Sequence, residues 1–259
     1  MLIDTHAHIL DDALDAEAIV SSMAEDELSA IVIAGVDLPS SERAARFAAL
    51  HSGVYCTVGC HPEECGAYDC AHDDKYLELA ALPSCVAIGE VGLDYHYEDG
   101  ASPAVQRDVL ARMLHLAHKA DLPIVLHVRD AYKDSLDVLR GNRALLGRGF
   151  VMHCYGGSAE LVKDYCDLGA YFSLGGVLTF KNARKDDVVR AIPTDRLMLE
   201  TDCPYMTPEP YRGRPNRPAY VRYVALKMAQ ILGKDYEQVC SETSANAANP
   251  LQNSGPGCS

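Results

Sequence analysis

Two histidines separated by a single residue, His6 and His8, follow the short apolar run Leu2-Ile3-Asp4-Thr5. In an extended strand, residues two apart project to the same side, so both imidazoles can reach one point in space. Imidazole pairs suit borderline divalent ions such as zinc, manganese or iron. Further ligand types recur along the chain. Glu90 closes Val86-Ala87-Ile88-Gly89, His127 closes Pro123-Ile124-Val125-Leu126, His153 closes Phe150-Val151-Met152, and Asp202 follows Leu197-Met198-Leu199-Glu200-Thr201. Taken singly, each has a structural alternative: a buried histidine can satisfy a backbone group, and a strand-end aspartate can cap the next helix. As a set, they read as a metal centre built at the ends of successive strands. His61, in Gly59-Cys60-His61-Pro62, also follows an apolar run. Asp94 either caps a turn or faces the same site, and Glu200 is placed to orient a ligand histidine.

The elements that must position these residues alternate. Strand-like runs occur at Leu2–Thr5, Ala30–Ala34, Val54–Val58, Val86–Gly89, Ile124–Leu126, Gly149–Met152, Tyr171–Leu174 and Leu197–Glu200. Helix-like stretches intervene, among them Asp15–Leu28, Ser40–Leu50, Ala104–Lys119 and Ala159–Leu168. Strands alternating with helices imply a parallel sheet. Eight such units in roughly 250 residues fit a single (β/α)8 TIM-type barrel, whose sites lie at the C-terminal strand ends. An open doubly wound sheet is the alternative, but no Gly-x-Gly-x-x-Gly follows the first strand.

The chain of 259 residues is 48% hydrophobic with mean hydropathy −0.07, which indicates one globular domain and no internal linker. We expect the barrel to occupy residues 1–248 and residues 249–259 to form a poorly ordered tail. No run approaches membrane-span length and no basic segment precedes an apolar leader, so a cytoplasmic location is expected. The ten cysteines are then reduced thiols. Cys56, Cys60, Cys65 and Cys70 fall close together but lack any Cys-x-x-Cys pair, so they do not read as a chelating unit.

The series Leu-Ile-Asp-Thr-His-Ala-His, Gly-Cys-His-Pro, Ile-Gly-Glu-Val-Gly-Leu-Asp-Tyr, Leu-His-Val-Arg-Asp-Ala, His-Cys-Tyr-Gly-Gly-Ser and Leu-Glu-Thr-Asp-Cys-Pro-Tyr resembles the TatD family of metal-dependent deoxyribonucleases. The resemblance runs from Met1 to about Asn246. It implies a hydrolase of DNA phosphodiesters, commonly a 3′-to-5′ exonuclease on single strands. It also implies two divalent ions (zinc, manganese, iron or magnesium). One would be held by His6, His8, Glu90 and Asp202, the other by Glu90, His127 and His153, with Glu90 shared. A hydroxide generated at the metals would be the nucleophile, Asp202 would act as general base, and His61 would contact a phosphate or a water.

Substrate preference is less constrained. A net charge of −14 disfavours a broad duplex-binding surface. Arg129, Arg212 and Arg214, with Tyr155, are the expected substrate-binding residues, and single-stranded DNA or a short oligonucleotide is the expected partner. No membrane and no obligate protein partner is expected. The family pattern Arg-Gly-x-x-Asn-Glu-Pro is broken here, where Arg217 precedes Pro218. Because fold and metal ligands do not fix a substrate, a lactonase, a phosphotriesterase or a D-aminoacyl-tRNA deacylase stays open as an alternative.

Overall fold

In a computed structural model, residues 1–97 and 99–251 are described. The strands are β1 (Leu2–Ala7), β2 (Leu28–Ile33), β3 (Val54–Val58), β4 (Cys85–Asp94), β5 (Ile124–Arg129), β6 (Phe150–Met152), β7 (Ala170–Leu174) and β8 (Leu197–Leu199). The helices are α1 (Ala16–Ser22), α2 (Leu38–Ala48), α3 (Asp73–Ala80), α4 (Pro103–Ala120), α5 (Tyr132–Gly141), α6 (Ala159–Cys166), α7 (Asp186–Ala191), α8 (Val221–Leu232) and α9 (Tyr236–Leu251). The eight strands follow one another in the sheet in sequence order, with helices as crossovers, which is the (β/α)8 barrel plan. No helix among the described residues is long and apolar enough to cross a membrane.

The chain divides into two compact units. The first takes residues 1–33 and 152–247. In it β1 pairs parallel to β2, and β7 to β8. The first and last strands meet at their C-terminal ends, where the Asp202 amide donates to the His6 carbonyl (2.9 Å) and the His8 amide to the Cys203 carbonyl (2.8 Å). Buried Leu2, Ile31, Ile33, Phe172, Leu197, Leu199, Val224 and Met228 fill this core. Helix α1 contributes no buried residue.

Among the described residues, the second unit takes residues 34–151 and 248–251. Its β4 pairs parallel with β3 and β5. Every residue of β4 is buried, as expected of a central parallel strand covered on both faces. Helix α2 starts on a reciprocal cap: Asp37 accepts the Ser40 amide and the Ser40 hydroxyl accepts the Asp37 amide. Helix α4 is capped by Ser102 with Pro103 in its first turn, and it buries Leu110, Met113, Leu114 and Ala117 on one face.

Three boundary differences from the sequence reading matter most. The Asp15–Leu28 helix stops at Ser22, because Glu27 takes a left-handed φ of 61° and Leu28 already belongs to β2. The run at Val86–Gly89 continues through Glu90 to Asp94, so Glu90 lies inside its strand instead of at its end. Helix α9 extends past residue 248 to Leu251 with Pro250 inside it. That proline has no amide to donate to the carbonyl four residues back. The rest of the expected tail, residues 252–259, lies outside the described residues.

Candidate metal centre

In the first unit, β1 presents His6 within the strand and His8 just beyond it. Their Nε2 atoms stand 3.3 Å apart. Asp202 Oδ1 lies 3.4 Å from His8 Nε2 and 4.0 Å from His6 Nε2. The His153 ring stacks on His6 at 3.7 Å between centroids. Ligand atoms of His6, His153 and Asp202 all fall within 4.8 Å of one another. Between two neutral imidazole nitrogens, one proton can serve only one hydrogen bond, whereas a cation satisfies both lone pairs and the carboxylate together. The donor set therefore fits a borderline divalent ion.

Backbone shape aims these groups. Asp202 has φ 57° and Cys154, next to His153, has φ 43°, both in the left-handed region that non-glycine residues avoid. At these two turns the strand alternation ends. Sequence alternation predicts Glu200 and Asp202 on one side; in the structure both lie near His153, Glu200 against its Nδ1 and Asp202 in its ligand group. Glu200 is fully buried and accepts the Cys154 amide (2.7 Å), with Oε1 3.1 Å from His153 Nδ1. Asp4 is buried too, accepting the Thr201 amide (2.9 Å) and hydroxyl (2.5 Å). Burial pushes Asp4 up to about 8, against the lowering pull of its Thr201 hydrogen bonds. Burial also raises Asp202, but the His8 hydrogen bond and the fields of His153, His8 and His6 leave its carboxyl below the ordinary value. Thr5 Oγ1 bridges Ser173 Oγ (2.8 Å) and the Leu199 carbonyl (2.9 Å), locking β1 against β7 and β8.

The second unit holds another group. Glu90 Oε1 lies 2.9 Å from His127 Nδ1 and 3.5 Å from His61 Nε2, and these three also form a compact ligand set. The His127 ring sits between two carboxylates, since its Nε2 is 3.0 Å from Asp94 Oδ2. Burial raises Asp94, yet the His127 hydrogen bond, the His96 amide and Arg129 hold it below the usual carboxylate value. Gln106 clamps the end of β4 by accepting the Asp94 amide and donating to the Asp94 carbonyl, both at 2.8 Å. Gly92, at φ 151°, permits the β4–β5 approach, because a Cβ there would run into the His127 carbonyl. His61 differs from a ligand in one respect. Its Nδ1 accepts the Glu63 amide at 3.2 Å, so the neutral ring carries its proton on Nε2. That nitrogen is a donor toward Glu90 or a bound phosphate, and it has no lone pair to offer a metal.

The predicted residues thus gather as His6, His8, His153 and Asp202 in one unit and His61, Glu90 and His127 in the other. The substrate-binding predictions fare unevenly. Arg129, at the end of β5, rests over the Tyr97 ring at 5.3 Å. Arg212 lies over Phe180 at 3.7 Å, and Arg214 is exposed. Tyr155 is 3% exposed, its hydroxyl donates to the Ser158 carbonyl, and its ring packs on Phe172. Cys56, Cys60 and Cys65 are buried thiols and Cys70 is exposed; none joins a ligand group among the described residues. Sequence reasoning misses Asp4, Gln106 and Asn216. For Gln106 a signal exists, since it is the polar member of an apolar stripe continuing through Leu110, Leu114 and Ala117. Asn216, in an aperiodic loop, gives none.

Comparisons with known proteins show the family. Residues 3–252 match the family described as TatD related DNase. The uncharacterized metal-dependent hydrolase YabD of Bacillus subtilis is 39% identical over 95% of this chain and 97% of its own length. A Klebsiella pneumoniae protein named 3′-5′ ssDNA/RNA exonuclease TatD is 31% identical over 90% of each chain. The crystal structure of a TatD homologue from Escherichia coli K12 superposes with a TM-score of 0.86 at 27% identity, covering 96% of this chain and 97% of that one. With the family matched along nearly the whole chain and its ligand types gathered at the barrel strands, the chain belongs to the TatD-related DNase family of metal-dependent hydrolases.

Proposed function

We propose that this hydrolase removes nucleotides from the 3′ end of single-stranded DNA, using two divalent ions held by His6, His8, Glu90, His127, His153 and Asp202. The observation that carries the reading is the convergence of His6 Nε2, His8 Nε2 and Asp202 Oδ1, a set of lone pairs that a cation satisfies. The name of the Klebsiella relative, an exonuclease on single-stranded DNA and RNA, supports the substrate class. Bound divalent ions polarise a phosphate and acidify water, which places phosphodiester hydrolysis within reach at neutral pH. The protein's own groups do the rest. Asp202, kept ionised by its histidine neighbours, accepts the proton of the attacking water. His61 donates its Nε2 proton to a phosphate oxygen. Arg129 supplies a cation at the end of the strand that carries His127.

The test is hydrolysis of 5′-labelled single-stranded DNA with added magnesium or manganese, comparing wild type with Glu90→Ala and Asp202→Ala. Stepwise shortening from the 3′ end, abolished by both substitutions, is the expected result. An intact strand with metal-loaded wild type overturns the nuclease reading and moves the search to lactones, phosphotriesters and aminoacyl-tRNA.

A further inference from the structure

The first unit contains a cavity of about 590 Å³ away from the ligand residues, between α1 and the loop that precedes α8. One wall is Ala18 and Ile19 of α1, the helix that buries none of its own residues. The other wall holds Arg214, Arg217 and Tyr220. Among the described residues, neither arginine pairs with a carboxylate, in a chain whose net charge is −14. Arg217 instead lies 5.7 Å over the Tyr220 ring, and that ring is held by a parallel stack on Tyr211 at 4.5 Å. The cavity's two acids are engaged locally, Asp15 accepting the Ala18 amide as the α1 cap and Asp26 accepting the Ser22 hydroxyl. Both belong to α1 and its flanks, so an anion is directed to the arginine wall. The volume falls within the range of small-ligand sites, roughly 300–1,000 Å³, and holds a nucleotide.

The cavity is mechanically tied to the metal ligands. Asn216, fully buried between the two arginines in sequence, donates to the Thr201 carbonyl (2.8 Å) and the Tyr205 carbonyl (2.7 Å). It thereby pins the arginine loop to the turn that carries Asp202. On the other side, the chain leaving His8 runs directly into α1. Both walls therefore lie on chain that continues from β1 past His8 and from β8 past Asp202.

Resting on the nuclease reading above, we infer that this cavity is a nucleotide subsite for the single strand upstream of the bond being cut. Arg214 and Arg217 hold a backbone phosphate, and the Tyr220 wall packs against a base or sugar. Unpaired arginines suit phosphate oxygens, and an aromatic wall accepts any base, which gives affinity without sequence preference. Arg217, where the family pattern has an acid, makes this wall a property of this chain.

The experiment measures binding of 5′-labelled dT2, dT4 and dT8 by fluorescence anisotropy, with metal chelated so that nothing is cleaved, followed by steady-state cleavage of the same strands. Arg214→Glu/Arg217→Glu is expected to weaken dT8 binding about tenfold or more, to leave dT2 nearly unchanged, and to raise KM for dT8 with kcat retained. The salt dependence of dT8 binding should fall by about 0.7 in log–log slope for each phosphate that the variant no longer neutralises. Tyr220→Ala should weaken dT8 in the same way, and Tyr220→Phe should restore it. Equal loss on dT2 and dT8, or no loss on dT8, overturns the subsite while leaving the nuclease reading intact. Wild type that neither binds nor cleaves any strand overturns both.

Discussion

The two ligand groups are built from similar residues but are supported in opposite ways. Around His6, His8 and Asp202 the nitrogen lone pairs face one another, while carboxylates and hydroxyls behind them are spent on backbone: Asp4 on Thr201, Glu200 on the Cys154 amide, Thr5 on the Leu199 carbonyl. Around His127, by contrast, both ring nitrogens already meet carboxylates, Glu90 on one side and Asp94 on the other. A cation entering the first group displaces the His8–Asp202 hydrogen bond and the 3.3 Å contact between two imidazole nitrogens, which share at most one proton. In the second it must displace carboxylate contacts on both sides of one ring. The comparison teaches that ligand identity alone does not rank two metal positions; what the ligands do without the metal matters as much.

The largest effect that would break this comparison is on activity. Asp202→Ala should lower kcat/KM on single-stranded DNA by on the order of 10³-fold or more with the melting temperature held, a loss that metal-content analysis should trace to the first position. Next comes metal removal. Mild chelation followed by metal analysis should leave about one ion bound, in the first group, with the second re-entering at least about tenfold more weakly by calorimetric titration. Equal affinities would refute the asymmetry. Glu200→Gln should then weaken the tighter ion by about 10–100-fold, because it loosens the turn carrying His153. The smallest effects are on stability. Thr5→Val in the first unit and Gln106→Met in the second should each cost about 1–3 kcal/mol by denaturant unfolding, since each strands buried backbone groups.

Much of this contrast is invisible in the sequence. The apolar runs locate all eight strands, and residue type locates the ligands, because parallel strands buried on both faces leave an unmistakable trace of Val, Ile and Leu. Glu90 falls at a strand end only if Val91 and Leu93, beyond it, are read as a loop; the structure buries both within β4. The left-handed φ of Asp202 is a conformation that no periodicity encodes. Tyr155 has the composition of a substrate contact and the surroundings of a core residue. Asp4 and Asn216 act through backbone atoms far away in the chain, and pairwise hydrogen bonds across loops have no sequence period to reveal them.

The bonds between the His6 and Asp202 backbones have a consequence in time. His61, Glu90 and His127 lie within one continuous stretch and can come together as soon as β5 has emerged during synthesis. The first group cannot, because His6 waits for Asp202. At roughly 5–20 residues per second, the interval between making His127 and making Asp202 is about 4–15 s. A nascent chain therefore carries an incomplete set of ligands until β8 and the turn after it are made, and the first group assembles only after Asp202 has been added.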